Sequence, residues 1–443
     1  MQQLQEVVSL ALTFCLLAAI LQSSLCVADK VYYVTPDSET TCSSTPCHNI
    51  SHYIQNPSVY FQSNSVFKFL PGLHILDEWE LIEIEFVNNI ALTGDPTMIP
   101  SQSEIPFQPS SEIWCTGQAG FGFVFVENLL IENLSFTNCG TPFSSHSNLS
   151  SAILFSGVTN LTISRVVVQN TTGYGIISLA LKGDSRIFES AFLYNHGDNS
   201  YIGGNVNLLL DNCDNSGYNT SSVSLSICST YILYGDTPQS SEGFPTGLSV
   251  MLTTNLCTNT NIVLDNVTVS QNKNANLLLS LSYSDTSSVC VTIENSRIEG
   301  GAALAWGGLI IMDDSSRLKL RNCSNPQNSN KESALRILNT AVIGNIGAGL
   351  AILVNSKYSK FSIEIDRVIF NENNSTLVDL QNHTEFKGAV KWLSDTIGAL
   401  FIMGNSSEIC PRQNISHENV TIKIFQHSCD QKSWRWGGNC KFY

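Results

Sequence analysis

Seven segments of the chain share one pattern of apolar and polar positions: LLIENLSFTN (129–138), LTISRVVVQN (161–170), RIFESAFLYN (186–195), IVLDNVTVSQ (262–271), VTIENSRIEG (291–300), RILNTAVIGN (336–345) and IEIDRVIFNE (363–372). Each reads apolar-x-x-apolar-x-apolar-x-polar, and a weaker copy runs from Leu225 through Ile227 to Ile232. Alternation marks a strand with one buried face. The two-residue skip at the centre interrupts it, so the chain bends there while both arms keep pointing inward. The first core positions align as Ile131, Ile163, Phe188, Leu264, Ile293, Leu338 and Ile365, and the closing positions as Asn138, Asn170, Asn195, Gln271, Gly300, Asn345 and Glu372. A second strand follows several copies: YGIISLAL (174–181), ANLLLSL (275–281), WGGLIIM (306–312) and GAGLAILV (347–354).

Short strands, bends and a recurrence without helical stretches predict an all-β solenoid in which each coil touches only its neighbours. Unequal spacing between copies is then explained by loops inserted in single coils. Asn138, Asn170 and Asn195 are expected at equivalent turns, because Asn tolerates left-handed backbone and can hydrogen-bond to the next coil.

This pattern, over roughly residues 66–395, resembles the right-handed parallel β-helix of the pectin-lyase-like superfamily. The segments VYYVTPDSETTCSSTPCHNISHYI (31–54), FKFLPGLHIL (67–76) and NNIALTGDP (88–96) further resemble the entry segment of secreted β-helix proteins abundant in marine invertebrates. The resemblance implies a scaffold and assigns no chemistry. The expected architecture is a right-handed parallel β-helix of about ten coils, near 50 Å long at about 4.8 Å per coil. A signal peptide is expected at 1–28, an N-terminal cap at 29–65, the β-helix at 66–395 and a disulfide-rich C-terminal cap at 396–443.

The leader rests on the apolar run VVSLALTFCLLAAIL (7–21) and on small residues at Cys26 and Ala28, which suit cleavage after Ala28. Twelve of the fourteen cysteines lie beyond that point, an even number fit for disulfides in an oxidising compartment. Cys115 and Cys139 are one coil apart and are expected to pair. Cys213 with Cys228 is a second candidate, and Cys42 and Cys47 would close a tight loop beside a short helix starting near Ile50. Cys410, Cys429 and Cys440 accompany Trp434 and Trp436 in the expected C-terminal cap. Fourteen N-x-S/T sequons are glycosylation candidates: Asn49, Asn133, Asn148, Asn160, Asn170, Asn219, Asn266, Asn322, Asn373, Asn374, Asn382, Asn405, Asn414 and Asn419.

A net charge of −15, with 37 acidic against 22 basic residues and no basic stripe, excludes nucleic acid as a partner. The catalytic motifs examined are incomplete. Cys42, Cys47, His48 and His52 have zinc-ligand composition, but the adjacent Cys47 and His48 do not suit one tetrahedral ion. Asp313-Asp314 with Arg317 and Lys319 has the polygalacturonase elements without their order or the Gly-His-Gly of that family. Asp184, Asp198, Asp211 and Asp214 are candidates to line one surface, where loop carboxylates would hold calcium. Eight scattered histidines accompany no nucleophile elbow. The glycines of GGAALAWGG (300–308) precede a strand, which fits close coil packing better than phosphate binding. Trp79, Trp114, Trp306 and Trp392 are candidates for stacking on sugars.

With no catalytic, cofactor or metal residue assigned, the expected function is a secreted, N-glycosylated, non-catalytic scaffold for extracellular recognition or adhesion, its partner a glycan or a protein. The alternatives are a divergent polysaccharide lyase or glycoside hydrolase, and the ectodomain of a truncated membrane receptor.

Overall fold

The computed structural model describes residues 30–36, 46–78, 81–100, 105–142, 150–198, 202–211, 222–237, 246–252, 260–281, 289–302, 307–313, 335–346, 349–354, 363–366, 368–371, 373, 389–392 and 400–404. They form a parallel β-helix with three faces. One coil shows the plan: Gly120–Val124 on the first face, Glu127–Glu132 on the second and Leu134–Thr137 on the third. Each strand pairs in parallel with its counterpart in the next coil. The third face is a continuous ten-stranded sheet from Gly72–Leu76 to Ile369–Asn371. The first two faces merge into one sheet where Ser150–Ser164 runs straight through their shared corner.

The skip in the repeat is the bend between the second and third faces. It carries a left-handed backbone column at Asn133, Arg165, Glu189, Ser229, Asn266, Asn295 and Asn339. The strands that follow the repeats, Tyr174–Lys182, Leu277–Leu281, Leu309–Asp313 and Leu350–Val354, all lie on the first face. Inward side chains stack coil on coil; on the second face Leu92, Ile131, Ile163, Ile187, Ile227, Leu264, Ile293 and Ile337 are in register, all almost fully buried. Close coil approach accounts for the 300–308 glycines: a Cβ on Gly307 would meet the Ile346 carbonyl oxygen at 1.9 Å, and one on Gly308 that of Gly349 at 2.1 Å.

Two repeats slip by one residue from the alignment read in the sequence. Ile187 and Ile337 occupy the ladder positions, while Phe188 and Leu338 point outward and are half-exposed. Adjacent apolar residues allow either register, and a one-residue shift exchanges the faces. The slip carries downstream: the left-handed closing residues there are Tyr194 and Gly344 rather than Asn195 and Asn345, whereas Asn138, Asn170, Gln271 and Gly300 are left-handed as expected. Asn195 and Asn345 turn into the core instead. They join Asn205, Asn272, Asn276 and Asn373 in a buried ladder of amides, each side-chain nitrogen donating to the next side-chain oxygen over 2.7–2.9 Å.

The ends also differ from the expected boundaries. Lys30–Thr35 already stacks in parallel on Ser65–Phe69, and Cys47–Asn49 stacks on Lys30–Thr35 from the other side. The cap proper is the helix Ile50–Ile54, opened by the Asn49 side chain accepting from the His52 backbone N–H at 3.1 Å. Ile50, Tyr53 and Ile54 bury against the first coils, and the Tyr53 hydroxyl donates to the Tyr33 carbonyl at 2.9 Å. Burial pushes the Tyr53 phenol up to about 12. At the other end, Leu400–Gly404 stacks in parallel on Leu350–Val354, so the ladder reaches beyond residue 395.

Candidate functional site

The disulfide between Cys115 and Cys139 is present, with Cα atoms 4.9 Å apart at a sequence separation of 24. It closes just beyond the last paired rung of the third face, where Thr137 lies on Trp114. Cys47 and Cys290 are disulfide-bonded as well. That removes Cys47 as a thiolate ligand, and the His48 and His52 rings stack on each other at 3.8 Å between centroids. Cys228 lies 3.3 Å from the Ser226 hydroxyl; Cys42 and Cys213 lie outside the described residues.

The acidic row expected on one surface is divided. Asp184 and Asp211 flank the corner between the first and second faces, and Asp198 follows the third face. Asp184 is paired with Arg186 and accepts from the Ser224 hydroxyl at 2.5 Å. Asp214, Asp314, Arg317, Lys319, Trp79 and Trp306 lie outside the described residues. Trp114 projects outward from the third face and is partly exposed.

The described sequons divide by burial. Asn49, Asn170 and Asn266 are exposed, and Asn160 is half-exposed. Asn133 and Asn373 are only 3% and 7% exposed. Asn373 ends the buried amide ladder, donating to the Val342 carbonyl at 2.8 Å. No glycan can leave such a nitrogen without opening the coil. Asn148, Asn219, Asn322, Asn374, Asn382, Asn405, Asn414 and Asn419 lie outside the described residues.

A site missed in the sequence stands out in the backbone. Among the described residues, eighteen non-glycine positions have positive φ; ten are Asn and four are aromatic: Phe86, Phe125, Tyr194 and Tyr234. Bulky side chains are disfavoured in this conformation by about 1–2 kcal/mol each. All four stand in stacked pairs on adjacent coils. Phe86 and Phe125 lie 5.3 Å apart at 19°, at the corner between the first and second faces. They are 71% and 56% exposed. Tyr194 and Tyr234 lie 4.7 Å apart at 2° on the corner after the third face. Tyr234 packs on the patch formed by Ile105, Leu193 and Leu233, which gives that pair a structural role.

The Phe pair stays largely exposed in a strained backbone conformation, a pattern that marks functional positions. Gly157 continues the column; a Cβ there would come within 2.7 Å of the Phe125 ring. The sequence does carry a signal for it. Phe86-Val87-Asn88-Asn89, Phe125-Val126-Glu127-Asn128 and Gly157-Val158-Thr159-Asn160 are three stacked copies of one tetrad. Its Val is buried in each copy. Its Asn side chains join hands along the surface, from Asn160 through Asn128 and Asn89 to Asn64, at 2.8–2.9 Å.

A second grouping lies on the outside of the second face. Asp265 and Glu294 occupy the same position on adjacent coils, and Arg336 lies one coil further, on Thr292. Burial, reinforced by the Asp265 charge and opposed by Arg336, raises the Glu294 carboxyl above its ordinary range. Asp265 accepts from the Asn295 amide at 2.8 Å. The two carboxyls stand on adjacent rungs, whose backbones are about 4.8 Å apart; retaining glycosidases use two carboxyl groups about 5–5.5 Å apart.

No protein-family model and no curated protein matches the chain. Several solved structures do, all at low similarity. ORF18 of Geobacillus virus E2 aligns at 11% identity and a TM-score of 0.38, over 77% of this chain and 60% of its own length. The A-module of the Azotobacter vinelandii mannuronan C-5 epimerase AlgE4 aligns at 10% identity and 0.32, over 83% and 92%. A mannuronic acid specific polysaccharide family 6 lyase from human gut microbiota aligns at 11% and 0.36, over 87% and 83%. These likenesses concern the fold alone, and activity has to be argued from this chain's own residues.

Proposed function

We propose that the protein is a secreted, N-glycosylated β-helix that recognises carbohydrate outside the cell and does not act on it chemically. One observation carries this reading: two exposed phenylalanines, Phe86 and Phe125, held stacked on each other in a strained backbone conformation. Aromatic rings present an apolar surface that packs against the C–H faces of sugars. Disulfides at Cys47, Cys115, Cys139 and Cys290 support an oxidising compartment, as does the apolar leader. The test is retention of the purified protein on a polysaccharide panel, with and without calcium, recording reducing ends as well. Retention without sugar release, weakened in Phe86→Ala, supports recognition; release of sugar ends overturns it.

A second reading, a divergent glycan-cleaving enzyme, is favoured by Asp265 and Glu294 alone. It requires sugar release that disappears in Glu294→Gln.

A further inference from the structure

We propose that the Phe86–Phe125 ledge takes a hexopyranose chain without acidic groups, neutral or amino-bearing, and rejects polyuronates. This rests on the carbohydrate-recognition reading and specifies its ligand.

Charge around the rings selects the ligand. The stacked rings project where the first face turns into the second. On the first-face side the outward residues are Glu83 and Glu85, both exposed, and beyond them Gly122, Val124 and Ser156 on the next coils. On the second-face side stand Asn88 and Glu127, paired across the rung, and then the Asn89, Asn128 and Asn160 amides. The three copies, residues 83–89, 122–128 and 154–160, thus contain three carboxylates and no Lys or Arg. The nearest base in the Glu127 column is Lys182, two coils away beyond Thr159; on the other side one base, Lys30, is tied to Gln62 on the coil preceding Phe86, leaving the carboxylates in excess. Two coils are about 10 Å, comparable to the distance over which salt screens exposed charges, about 8–10 Å. Lys182 therefore does little to offset Glu85 and Glu127 at the rings.

A uronate residue stacked on this ledge would bring its carboxylate against theirs. A sugar hydroxyl or ammonium would find in Glu85 and Glu127 acceptors of the right sign, since charged acceptors make the stronger hydrogen bonds. Asn side chains offer both donors and acceptors to neutral hydroxyl groups.

The backbone makes the test clean. Phe86 and Phe125 have φ of 54° and 52°, a conformation glycine adopts freely. Phe86→Gly and Phe125→Gly therefore remove the rings without unfolding the coil, and raise rather than lower the melting temperature. The experiment is binding of the full-length secreted protein to four oligosaccharide probes: N-acetylglucosamine, glucosamine, mannuronate and galacturonate oligomers, at low and physiological salt. Wild type is expected to bind one or both of the first two. Phe86→Gly should weaken that binding by about tenfold or more, and a Glu85→Lys, Glu127→Lys double variant should gain uronate binding. Uronate binding by wild type that is lost in Phe86→Gly overturns the charge assignment and leaves carbohydrate recognition standing. Glycan binding unaffected by either glycine variant overturns the ledge as the site. Binding of none of the probes by folded protein overturns the present proposal, and failure on the wider polysaccharide panel as well overturns the recognition reading itself.

Discussion

Asn205 donates its side-chain amide to the side-chain oxygen of Asn272 across 2.9 Å, although 67 residues of chain separate them. Both are fully buried, and both also donate to backbone carbonyls, of Leu233 and Ile232 respectively. The Asn272 oxygen accepts in addition from the Gly235 backbone N–H at 2.8 Å. The ladder runs unbroken from Asn195 to Asn373 with every amide pointing the same way, so its bonds polarise one another. It satisfies turns that close packing has shut off from water.

Asn272→Ala should therefore cost more than an ordinary polar truncation. It strips the Gly235 N–H of its side-chain acceptor and breaks the ladder at its middle, an expected loss of about 3 kcal/mol. Asn266→Gly, at an exposed left-handed turn, should change stability by less than about 1 kcal/mol. Urea unfolding midpoints of the two variants check the contrast. Equal midpoints would show that the buried ladder contributes nothing special.

Replacing Cys139 by Ser opens the loop of 24 residues closed by Cys115. Chain entropy for a loop of that length predicts a loss of about 3 kcal/mol. Wild type under reducing conditions should lose at least as much, because the bridges at Cys47 and Cys290 open as well; thermal midpoints of both proteins with and without reductant check this.

Glu294 sets a pH dependence. Its folded-state carboxyl binds a proton more tightly than the ordinary 4.5, because of burial and then Asp265. Its contribution to stability is thus fully present below about the ordinary value and is lost as pH rises through the raised one. Glu294→Gln should be more stable than wild type at neutral pH, with the advantage shrinking to nothing in acid. Melting temperatures of both proteins across the acid range test this; a constant difference would contradict it.

Glycan occupancy should follow burial. Expressed through a secretory pathway, the protein should carry glycans at exposed sequons such as Asn170 and Asn266 and none at Asn133 or Asn373. Glycopeptide mass spectrometry decides it, and a fully occupied Asn373 would be incompatible with the amide ladder as it stands.

The repeat, its mid-segment bend, the one-coil disulfide and the helix opening at Asn49 were legible in the chain, because each depends on residues close in sequence or on a spacing of one coil. Alternation decides which face of a strand is buried, and Asn or Gly marks where the backbone turns left-handed. Only the tertiary structure decided the register where two apolar residues are adjacent, at Ile187-Phe188 and Ile337-Leu338, because the sum of packing over neighbouring coils selects one of them. That choice sends Asn195 and Asn345 inward and makes them structural. It also decided which distant side chains share a corner: Phe86 with Phe125, or Asp265 with Glu294 and Arg336. Loops of unequal length separate successive coils, so stacking partners stand at no fixed interval, and the chemistry of each corner exists only once the coils are stacked.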